Sequence, residues 1–273
     1  MSGQPCPAVL SIAGSDPSGG AGIQADIKAF SALGAYGMCA LTALTVQNTQ
    51  GVRGVHAVPA QFVAEQIDAV FEDVRVDAVK VGMLGAAGTV ERVAECLERW
   101  QPRLVVVDPV MVARSGHRLI DDAAVAVLRE RLLPLASVIT PNLPEAAVLL
   151  DTDPAVDVAG MHDAAHALQA LGARGVLVKG GHLAHGDATD VFHDGRVERV
   201  LHAPRVDTRN THGTGCTLSS AIAALLPRST RMEDAVAEAK RYLSGALEAA
   251  DRLQIGHGHG PVHHFHALWS AGA

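Results

Sequence analysis

The chain alternates short apolar runs with longer segments in which apolar residues recur at helical spacing. An unbroken apolar run bounded by turn residues is typical of a strand that is buried on both faces. The runs predicted as strands are Ala8–Ala13, Met38–Val46, Ala78–Val81, Leu104–Val107, Ser137–Thr140 and Gly175–Lys179. The segments predicted as helices are Ala21–Leu33, Pro59–Phe71, Val90–Trp100, Asp121–Leu133, Pro144–Leu150, Met161–Leu171, Thr217–Leu226 and Met232–Ala250. This alternation predicts an α/β fold of three layers, with helices on both faces of a mostly parallel sheet.

One hairpin interrupts the alternation. The segments Asp190–His193 and Val197–Leu201 flank the dipeptide Asp194-Gly195, which is a strong hairpin signal. We expect this hairpin at one edge of the sheet. Because no linker or low-complexity tract divides the chain, we expect residues 1–273 to form a single domain.

Composition and charge limit the classes of function. Apolar residues make up 48% of the chain and aromatic residues only 3%, so the core must consist of Ala, Val, Leu and Ile. A net charge of −7 argues against nucleic acid as a partner, because no basic excess can displace counterions from phosphates. No run reaches the roughly 18 apolar residues of a membrane span, and Met1–Pro7 lacks the features of a signal peptide. We therefore expect a cytoplasmic protein with no membrane contact, and the cysteines lack the spacing of a structural zinc site.

Charged residues follow three of the predicted strands. In an open parallel sheet, ligands bind beyond the carboxyl ends of the strands. Asp108 follows the run Val105–Val107, and Glu145 lies in the first helical turn after the next strand, so the two carboxylates could hold Mg²⁺. Lys179 precedes two glycines and could reach a nucleotide phosphate. A turn-forming aspartate, a helix-capping glutamate and a surface lysine are the alternatives.

Two further strand ends carry candidate binding residues. The glycine-rich turn Gly14–Gly22 opens a helix whose backbone N–H groups could hold an anion or a polar substrate. Asp26, one turn into that helix, could face the site or be an ordinary solvated carboxylate. Gln47 follows the second strand, and its amide could recognise an aminopyrimidine edge with two hydrogen bonds, or simply form a polar turn.

The segment Asn210–Cys216 is the most informative motif. Gly213 and Gly215 remove side-chain bulk at the start of an apolar helix, so successive N–H groups can converge on one point. Such an anion hole would stabilise charge on a transferring phosphoryl group. Cys216 would lie at the helix N-terminus, where we expect the pKa of its thiol to fall. The alternative is a small residue that packs under a glycine turn.

Taken together, these stretches resemble the hydroxymethylpyrimidine/phosphomethylpyrimidine kinases of thiamine biosynthesis, in the ribokinase-like superfamily. The resemblance extends in order over nearly the whole chain. The matching stretches are Ser11–Asp26, Val46–Thr49, Lys80–Leu84, Val107–Met111, Thr140–Glu145, Lys179–His182, Asn210–Cys216 and Gly256–Phe265.

The resemblance implies an ATP- and Mg²⁺-dependent kinase. Such enzymes phosphorylate the hydroxymethyl group of 4-amino-5-hydroxymethyl-2-methylpyrimidine and then phosphorylate the monophosphate to the diphosphate. It also implies a homodimer. Many ribokinase relatives have a catalytic Asp where this chain has Cys216, so we expect Cys216 beside the attacking hydroxyl, as a base or as a positioning group.

The resemblance also assigns roles to individual residues. The implied pyrimidine pocket consists of Gln47, Gly14, Ala21, Asp26, Val46, Met83 and Val110. The implied magnesium-associated acids are Asp108 and Glu145. The implied nucleotide contacts are Lys179, Thr214 and Asn142, and the implied catalytic anion hole is Gly213, Thr214, Gly215 and Cys216.

Three alternatives remain at this point. A pyridoxal or pyridoxine kinase of the same fold also phosphorylates a hydroxymethyl group on a six-membered ring, although Gln47 favours the aminopyrimidine. A catalytically silent ligand-binding protein is disfavoured by Asp108, Glu145 and the intact glycine turn. The histidines of the segment His257–His266 could bind a metal, or could belong to a packed or partly helical segment from Val262 to Trp269.

Overall fold

A single mixed sheet is the centre of the molecule. The computed structural model describes residues 5–112, 119–181, 183 and 186–269, and these residues form nine strands in the order β3-β2-β1-β4-β5-β6-β7-β8-β9. The strands are β1 (Ala8–Ser15), β2 (Tyr36–Asn48), β3 (Gly51–Ala57), β4 (Ala78–Val81), β5 (Val105–Val107), β6 (Val138–Ile139), β7 (Val176–Lys179), β8 (Asp190–His193) and β9 (Glu198–Leu201).

The interior of the sheet is parallel and its two edges are antiparallel. Strands β2, β1, β4, β5, β6 and β7 run parallel to one another. Strand β3 pairs antiparallel with β2 at one edge, and the hairpin β8–β9 pairs antiparallel with β7 at the other. The hairpin predicted from Asp194-Gly195 is confirmed. All parallel strands end at the same side of the sheet, and the candidate residues cluster there.

Helices cover both faces of the sheet. They are α1 (Gly22–Ala32), α2 (Ala60–Asp73), α3 (Ala87–Trp100), α4 (Asp122–Val127), α5 (Leu143–Leu150), α6 (Val158–Gln169), α7 (Thr214–Leu225) and α8 (Met232–Glu248). One core cluster includes Ile67 of α2 and Val93 of α3, and the other includes Phe30 of α1, Ile222 of α7 and Val236 of α8. The predicted three-layer fold with a mostly parallel sheet is therefore confirmed.

Several element boundaries differ from the sequence prediction. Strand β3 was not predicted, because two glycines and exposed polar residues hide any alternation in Gly51–Ala57. Helix α7 begins three residues before the predicted Thr217, since its glycine-rich first turn lacks apolar periodicity. The predicted helix Asp121–Leu133 is regular only in α4. A π-helical turn (Leu128–Leu132) and a 3₁₀ turn (Leu133–Leu135) follow it, and the second contains Pro134, which lacks an N–H group.

The C-terminal segment packs along α7 and α8 as turns, so the partly helical alternative for Val262–Trp269 is wrong. Its N–H groups form local turn bonds, such as those from His266 to His263 and from Trp269 to Phe265, and two further bonds tie it to α8: His263 N–H donates to the Ala246 carbonyl, and the Tyr242 hydroxyl donates to the His264 carbonyl. His264 is buried, with Nε2 3.0 Å from Thr217 Oγ1.

The helices of the described part of the chain also bear on membrane crossing. No helix there is both long enough and apolar enough to span a bilayer. The cytoplasmic location stays a prediction.

Candidate active site

A large cavity opens at the carboxyl ends of the parallel strands. Its volume is about 1250 Å³, and it extends from the glycine-rich turn after β1 to the helices α7 and α8. Most small-molecule pockets hold about 300–1,000 Å³, so this cavity has room for two small ligands side by side.

Two glycine-rich turns interlock at the middle of the cavity. Gly213, immediately before α7, has a φ angle of 77°, a left-handed conformation that favours glycine. A Cβ atom at position 213 would lie only 1.7 Å from the carbonyl oxygen of Gly20. The turn before α7 therefore packs backbone against backbone on the turn after β1. This contact brings the two motifs together from opposite ends of the sequence.

Asp16 organises the turn after β1. Its carboxylate accepts hydrogen bonds from the N–H groups of Ser18, Gly20 and Ala21, and His212 Nε2 lies 2.7 Å from Asp16 Oδ2. Burial by itself raises the pKa of Asp16, but the hydrogen bonds from His212 and Ser18 outweigh it and lower the pKa to about 2. Asp16 is therefore an anion at neutral pH and fixes the position of His212. Sequence reasoning assigned neither residue a role.

Gln47 forms one wall of the cavity. Its Nε2 atom lies 3.3 Å from His212 Nε2, and its Oε1 atom accepts a hydrogen bond from Thr45 Oγ1 at 3.2 Å. Four other residues of the implied pyrimidine pocket line the same cavity: Gly14, Ala21, Met83 and Val110. A Cβ atom at position 14 would lie 2.3 Å from Met83 Cε, so a glycine there lets the methionine close the wall.

The structure corrects two residues of the implied pocket. Val46 alternates with Thr45 and Gln47 along β2, so its side chain points to the opposite face, where it is 55% exposed. Asp26 is fully buried and does not line the cavity. Its carboxylate is already occupied by Lys80 Nζ at 2.9 and 3.0 Å and by the hydroxyls of Ser11 and Ser220, both at 2.6 Å. Asp26 therefore lies beneath the cavity wall and holds Lys80 in place.

Asp108 lies at the centre of a buried polar cluster. Its Oδ1 atom accepts hydrogen bonds from Lys179 Nζ at 2.8 Å and from Thr140 Oγ1 at 3.0 Å. Burial by itself raises the pKa of Asp108, but the charges of Lys179 and Lys80 outweigh burial and hold that pKa below its usual range. The carboxylate is therefore ionised, and its Oδ2 atom makes a long contact, 3.4 Å from Ser219 Oγ.

Glu145 lies beside this cluster and caps α5. The Asn142 N–H donates to Glu145 Oε2 at 2.8 Å, and the Glu145 N–H donates to Asn142 Oδ1 at 2.9 Å. This reciprocal capping box confirms the capping alternative for Glu145. Glu145 Oε2 also lies 3.9 Å from Lys179 Nζ. Burial raises the pKa of Glu145 to about 7, so this carboxyl group lacks sufficient compensating positive charge.

Lys179 joins the two acids. Burial by itself lowers the pKa of Lys179, but the carboxylates of Asp108 and Glu145 outweigh it and raise the pKa well above its ordinary value. The ammonium group therefore stays charged and lines the cavity with both acids.

The first turn of α7 faces the same cluster. Thr214, Gly215 and Cys216 are the first helical residues, and a helix itself offers no acceptor for the N–H groups of its first turn. The Thr214 N–H has a long bond of 3.4 Å to the Thr211 carbonyl in the preceding turn. A Cβ atom at position 215 would lie 3.3 Å from Lys179 Nζ and 3.6 Å from Asp108 Oδ2. The glycine therefore leaves space between these charged groups and the helix start. An anion in that space would meet the N–H groups, the helix dipole and the Lys179 ammonium together.

The thiol of Cys216 differs from the sequence expectation. Burial raises the pKa of Cys216 to about 11, although Lys80 and the Gly22 N–H act in the opposite direction. The carboxylates of Asp26 and Asp108 add to the increase. The predicted fall of the thiol pKa is therefore wrong, because desolvation outweighs the stabilisation expected at a helix N-terminus. Cys216 is protonated at neutral pH.

The far half of the cavity lies between the segment after β9 and the helices α7 and α8. Its apolar lining residues are Ala203, Pro204, Val206, Leu218, Leu243 and Leu247. Sequence reasoning did not locate this part. The signal that could have found it is the apolar spacing of α7 and α8, which could not be distinguished from core packing.

Gly181 and Ala188 line the cavity on either side of the segment His182–Asp187, which could be a flap over ATP or a polar turn. Residues 182, 184 and 185 lie outside the described residues. Arg205 donates hydrogen bonds to the carbonyls of Gly181, Leu183 and Gly186, so the described part of this loop is tied to the segment after β9.

Comparisons with known proteins show the family of this chain. A sequence model of the phosphomethylpyrimidine kinase family matches residues 16–263. The hydroxymethylpyrimidine/phosphomethylpyrimidine kinase of Escherichia coli is 56% identical over 260 residues, which cover 95% of this chain and 98% of that protein.

Solved structures show the same fold. The phosphomethylpyrimidine kinase of Clostridium difficile has a TM-score of 0.79 at 41% identity and covers 88% of this chain and 99% of its own. An ADP complex of Bacillus subtilis pyridoxal kinase has a TM-score of 0.89 at 37% identity and covers 97% of this chain and 100% of its own. The match over nearly the full length, in sequence and in fold, shows that this chain belongs to the phosphomethylpyrimidine kinase family.

Proposed function

We propose that this protein transfers phosphoryl groups from ATP to 4-amino-5-hydroxymethyl-2-methylpyrimidine, first to give the monophosphate and then the diphosphate, in thiamine biosynthesis. The observation that carries this proposal is the single cavity in which Gln47 lies on one side and the α7 anion hole, with Lys179, on the other. The family relatives support it, since the Escherichia coli protein is a kinase of this pyrimidine and of its monophosphate.

The cavity has room for both substrates. The pyrimidine lies against Gln47, whose amide can donate to a ring nitrogen and accept from the exocyclic amine. Gly14, Ala21, Met83 and Val110 surround the ring and exclude water. ATP lies in the far half, with its adenine among the apolar residues of α7 and α8. Asn142 and Thr214 border the phosphates, which then point towards the start of α7.

Transfer of the phosphoryl group takes place at the helix start. The N–H groups of Thr214, Gly215 and Cys216 hold the γ-phosphate, and Lys179 neutralises charge on the bridging oxygens. These donors are fixed before the substrate binds, so their stabilisation of the transition state needs little reorganisation. The substrate hydroxyl attacks in line from the Gln47 side.

Asp108 and Glu145 fit a magnesium ion. They are oxygen donors, as Mg²⁺ prefers, and burial raises the pKa of Glu145 although Lys179 lies nearby, so further positive charge would stabilise its ionised form. When bound, Mg²⁺ would neutralise phosphate charge at the point of transfer. Lys179, which contacts both acids, lies close enough to exchange its contact with Asp108 for one with a phosphate.

Cys216 acts as a positioning group for the attacking hydroxyl and keeps its own proton, so the proton of the hydroxyl passes to an oxygen of the transferred phosphoryl group. With a pKa of about 11, the thiol holds its proton in the resting state. Phosphoryl transfer has a loose transition state in which little charge develops on the nucleophile, so a strong base is not required at the start.

A pyridoxal kinase activity is the second candidate, because the Bacillus subtilis pyridoxal kinase has the same fold over the full chain. An assay of ADP release with the aminopyrimidine and with pyridoxal side by side separates the two. We expect the larger kcat/KM with the aminopyrimidine. A preference for pyridoxal would overturn the proposal, and comparable values would show a dual enzyme.

The protein is a homodimer in this proposal, through the hairpin of β2 and β3. Beyond Leu44, β2 pairs only with β3, so this hairpin extends past the rest of the sheet. Leu44 and Val46 lie on one face of β2 and are 47% and 55% exposed. Exposed apolar side chains on a projecting hairpin fit a self-complementary contact with a second copy.

A further inference from the structure

A cluster of histidines lies outside the cavity, where α6 packs against the hairpin β8–β9. His162 and His166 are four residues apart and share one face of α6. His193 comes from β8 and Glu198 from β9. None of these four residues lines the cavity, and the kinase mechanism uses none of them.

The carboxylate of Glu198 lies between the two histidines of α6. Its Oε1 atom is 2.8 Å from His162 Nδ1, and its Oε2 atom is 2.9 Å from His166 Nε2. The ring of His193 lies beside that of His166, with centroids 3.9 Å apart. One ligand atom each from His166, His193 and Glu198 lies within 4.8 Å of the other two. Two histidines and one carboxylate therefore meet at this point, and His162 approaches the same carboxylate from the other turn of α6.

Two nitrogen atoms in this cluster lack a hydrogen bond. His193 Nε2 lies 3.0 Å from the Gln169 Oε1 atom, so this nitrogen carries the proton and donates it. The buried Nδ1 atom of His193 then has a lone pair with no partner. His162 Nδ1 is close to Glu198, but the pair is not aligned as a hydrogen bond, and this nitrogen is also unsatisfied. Both nitrogens belong to side chains next to Glu198, so a cation bound to that carboxylate is a partner that each can reach by a side-chain rotation.

Gln169 fixes this arrangement from behind. Histidines that bind metals commonly donate their other ring N–H to an oxygen acceptor, which sets the tautomer and the ring orientation. Gln169 Oε1 provides that acceptor for His193. Its amide nitrogen also packs on the hairpin turn, where a Cβ atom at Gly195 would lie 2.6 Å from it.

We propose that His162, His166, His193 and Glu198 form a binding site for one zinc-type transition-metal ion that fastens α6 to the β8–β9 hairpin. Three imidazoles with one carboxylate suit Zn²⁺, whereas Mg²⁺ prefers oxygen ligands, so the magnesium of the kinase reaction does not compete. A tetrahedral zinc with bonds of about 2.1 Å places its ligands about 3.4 Å apart. The carboxylate oxygens lie 2.8 and 2.9 Å from His162 and His166, and the ligand atoms of His166, His193 and Glu198 lie within 4.8 Å of one another, so side-chain rotations bring them to that spacing.

The test is metal binding by untagged protein, after dialysis against a chelator and then against ZnCl₂. We expect one zinc per chain by elemental analysis, an intense tetrahedral absorption spectrum when Co²⁺ replaces zinc, and a higher Tm with zinc. The double variant H162A/H166A should lose the stoichiometric zinc and the rise in Tm. Both side chains are partly exposed, so this variant should fold, which circular dichroism checks.

The matched control is H257A, which removes an exposed histidine from the C-terminal segment. It should bind zinc like the unmodified protein. A second variant, Q169A, should weaken zinc binding by about 10–100-fold without removing a ligand. Substoichiometric zinc in the unmodified protein, or unchanged binding in H162A/H166A, would overturn the proposal. Kinase activity with ATP should be the same in all these variants, so the metal site is tested separately from the proposed function.

Discussion

The anion hole at the start of α7 can be tested by adding a single methyl group. In G215A the new Cβ would lie 3.3 Å from Lys179 Nζ and 3.6 Å from Asp108 Oδ2, in the space proposed for the γ-phosphate. Position 215 has helical backbone angles, so alanine does not strain the chain there. The substitution therefore blocks the site without a direct effect on the fold.

G215A changes the free energy of unfolding and the free energy of activation by different amounts. Replacing glycine by alanine in a compatible helical position stabilises a protein by about 0.4–1 kcal/mol, which the tight contact with Lys179 offsets. A methyl group that keeps the transition-state anion away from even one preorganised donor costs about 2.7–4 kcal/mol, or roughly 10²–10³ in kcat. We expect kcat to fall by at least that factor while the unfolding midpoint in urea stays nearly constant.

A matched control is available in the chain. Gly88 is the second residue of α3, as Gly215 is the second residue of α7, and a Cβ atom at position 88 would have no neighbour within 4 Å. G88A should keep full activity. Activity of G215A equal to that of G88A, in an ADP-release assay at saturating substrates, would refute the assignment of the anion hole.

Four further substitutions test other parts of the account. C216A should lower kcat roughly 100-fold and leave the Kd of the pyrimidine nearly unchanged in equilibrium dialysis, and an unchanged kcat would remove the thiol from the mechanism. Q47A should raise KM for the pyrimidine about tenfold to hundredfold, since a two-bond amide contact contributes about 1–3 kcal/mol, with KM for ATP unaffected; equal changes in both would argue against its role. V46D should give monomers in sedimentation velocity, and a persisting dimer would exclude that face. The pKa of Glu145 is raised from 4.5 to about 7. Its contribution to the free energy of unfolding is therefore fully present below about pH 4.5, and up to about 3 kcal/mol of it is lost as the pH rises through 7. Urea unfolding without Mg²⁺ should show that E145Q lacks this loss, and parallel pH profiles of the two proteins would contradict the assignment.

The sheet was largely predictable because its strands are buried on both faces. The run Val105–Val107 has no alternative to a buried strand in a chain of this length, and its neighbours show the same continuous apolar pattern. Strand β3 could not be predicted, since Gly51–Ala57 buries no apolar face and depends on pairing with β2. A local sequence pattern reveals a strand through its buried residues, and β3 has few of them.

The positions of residues at strand ends could also be predicted, but the partners of each side chain could not. The sequence places Asp108 and Glu145 at adjacent strand ends, and both do line the cavity. Spacing could not show that Asp26 bonds to Lys80, because the two residues lie far apart in sequence and meet only in the folded core. A lysine within the short apolar strand β4 was the available signal.

The thiol of Cys216 shows why electrostatics needs three dimensions. Its place at a helix start was correctly predicted, and from that place alone its pKa should fall. The structure adds burial and two nearby carboxylates, which raise the pKa instead. None of these contributions is visible in the heptapeptide Asn210–Cys216.

In the proposed function, the protein phosphorylates the hydroxymethylpyrimidine twice in one cavity. The most direct measurement is to incubate the purified protein with ATP, Mg²⁺ and 4-amino-5-hydroxymethyl-2-methylpyrimidine and to follow the products by mass spectrometry over time. We predict that the monophosphate appears first and is then converted to the diphosphate, with one ADP released for each step. Consumption of pyridoxal but not of the pyrimidine, or no ADP release with either, would contradict the account.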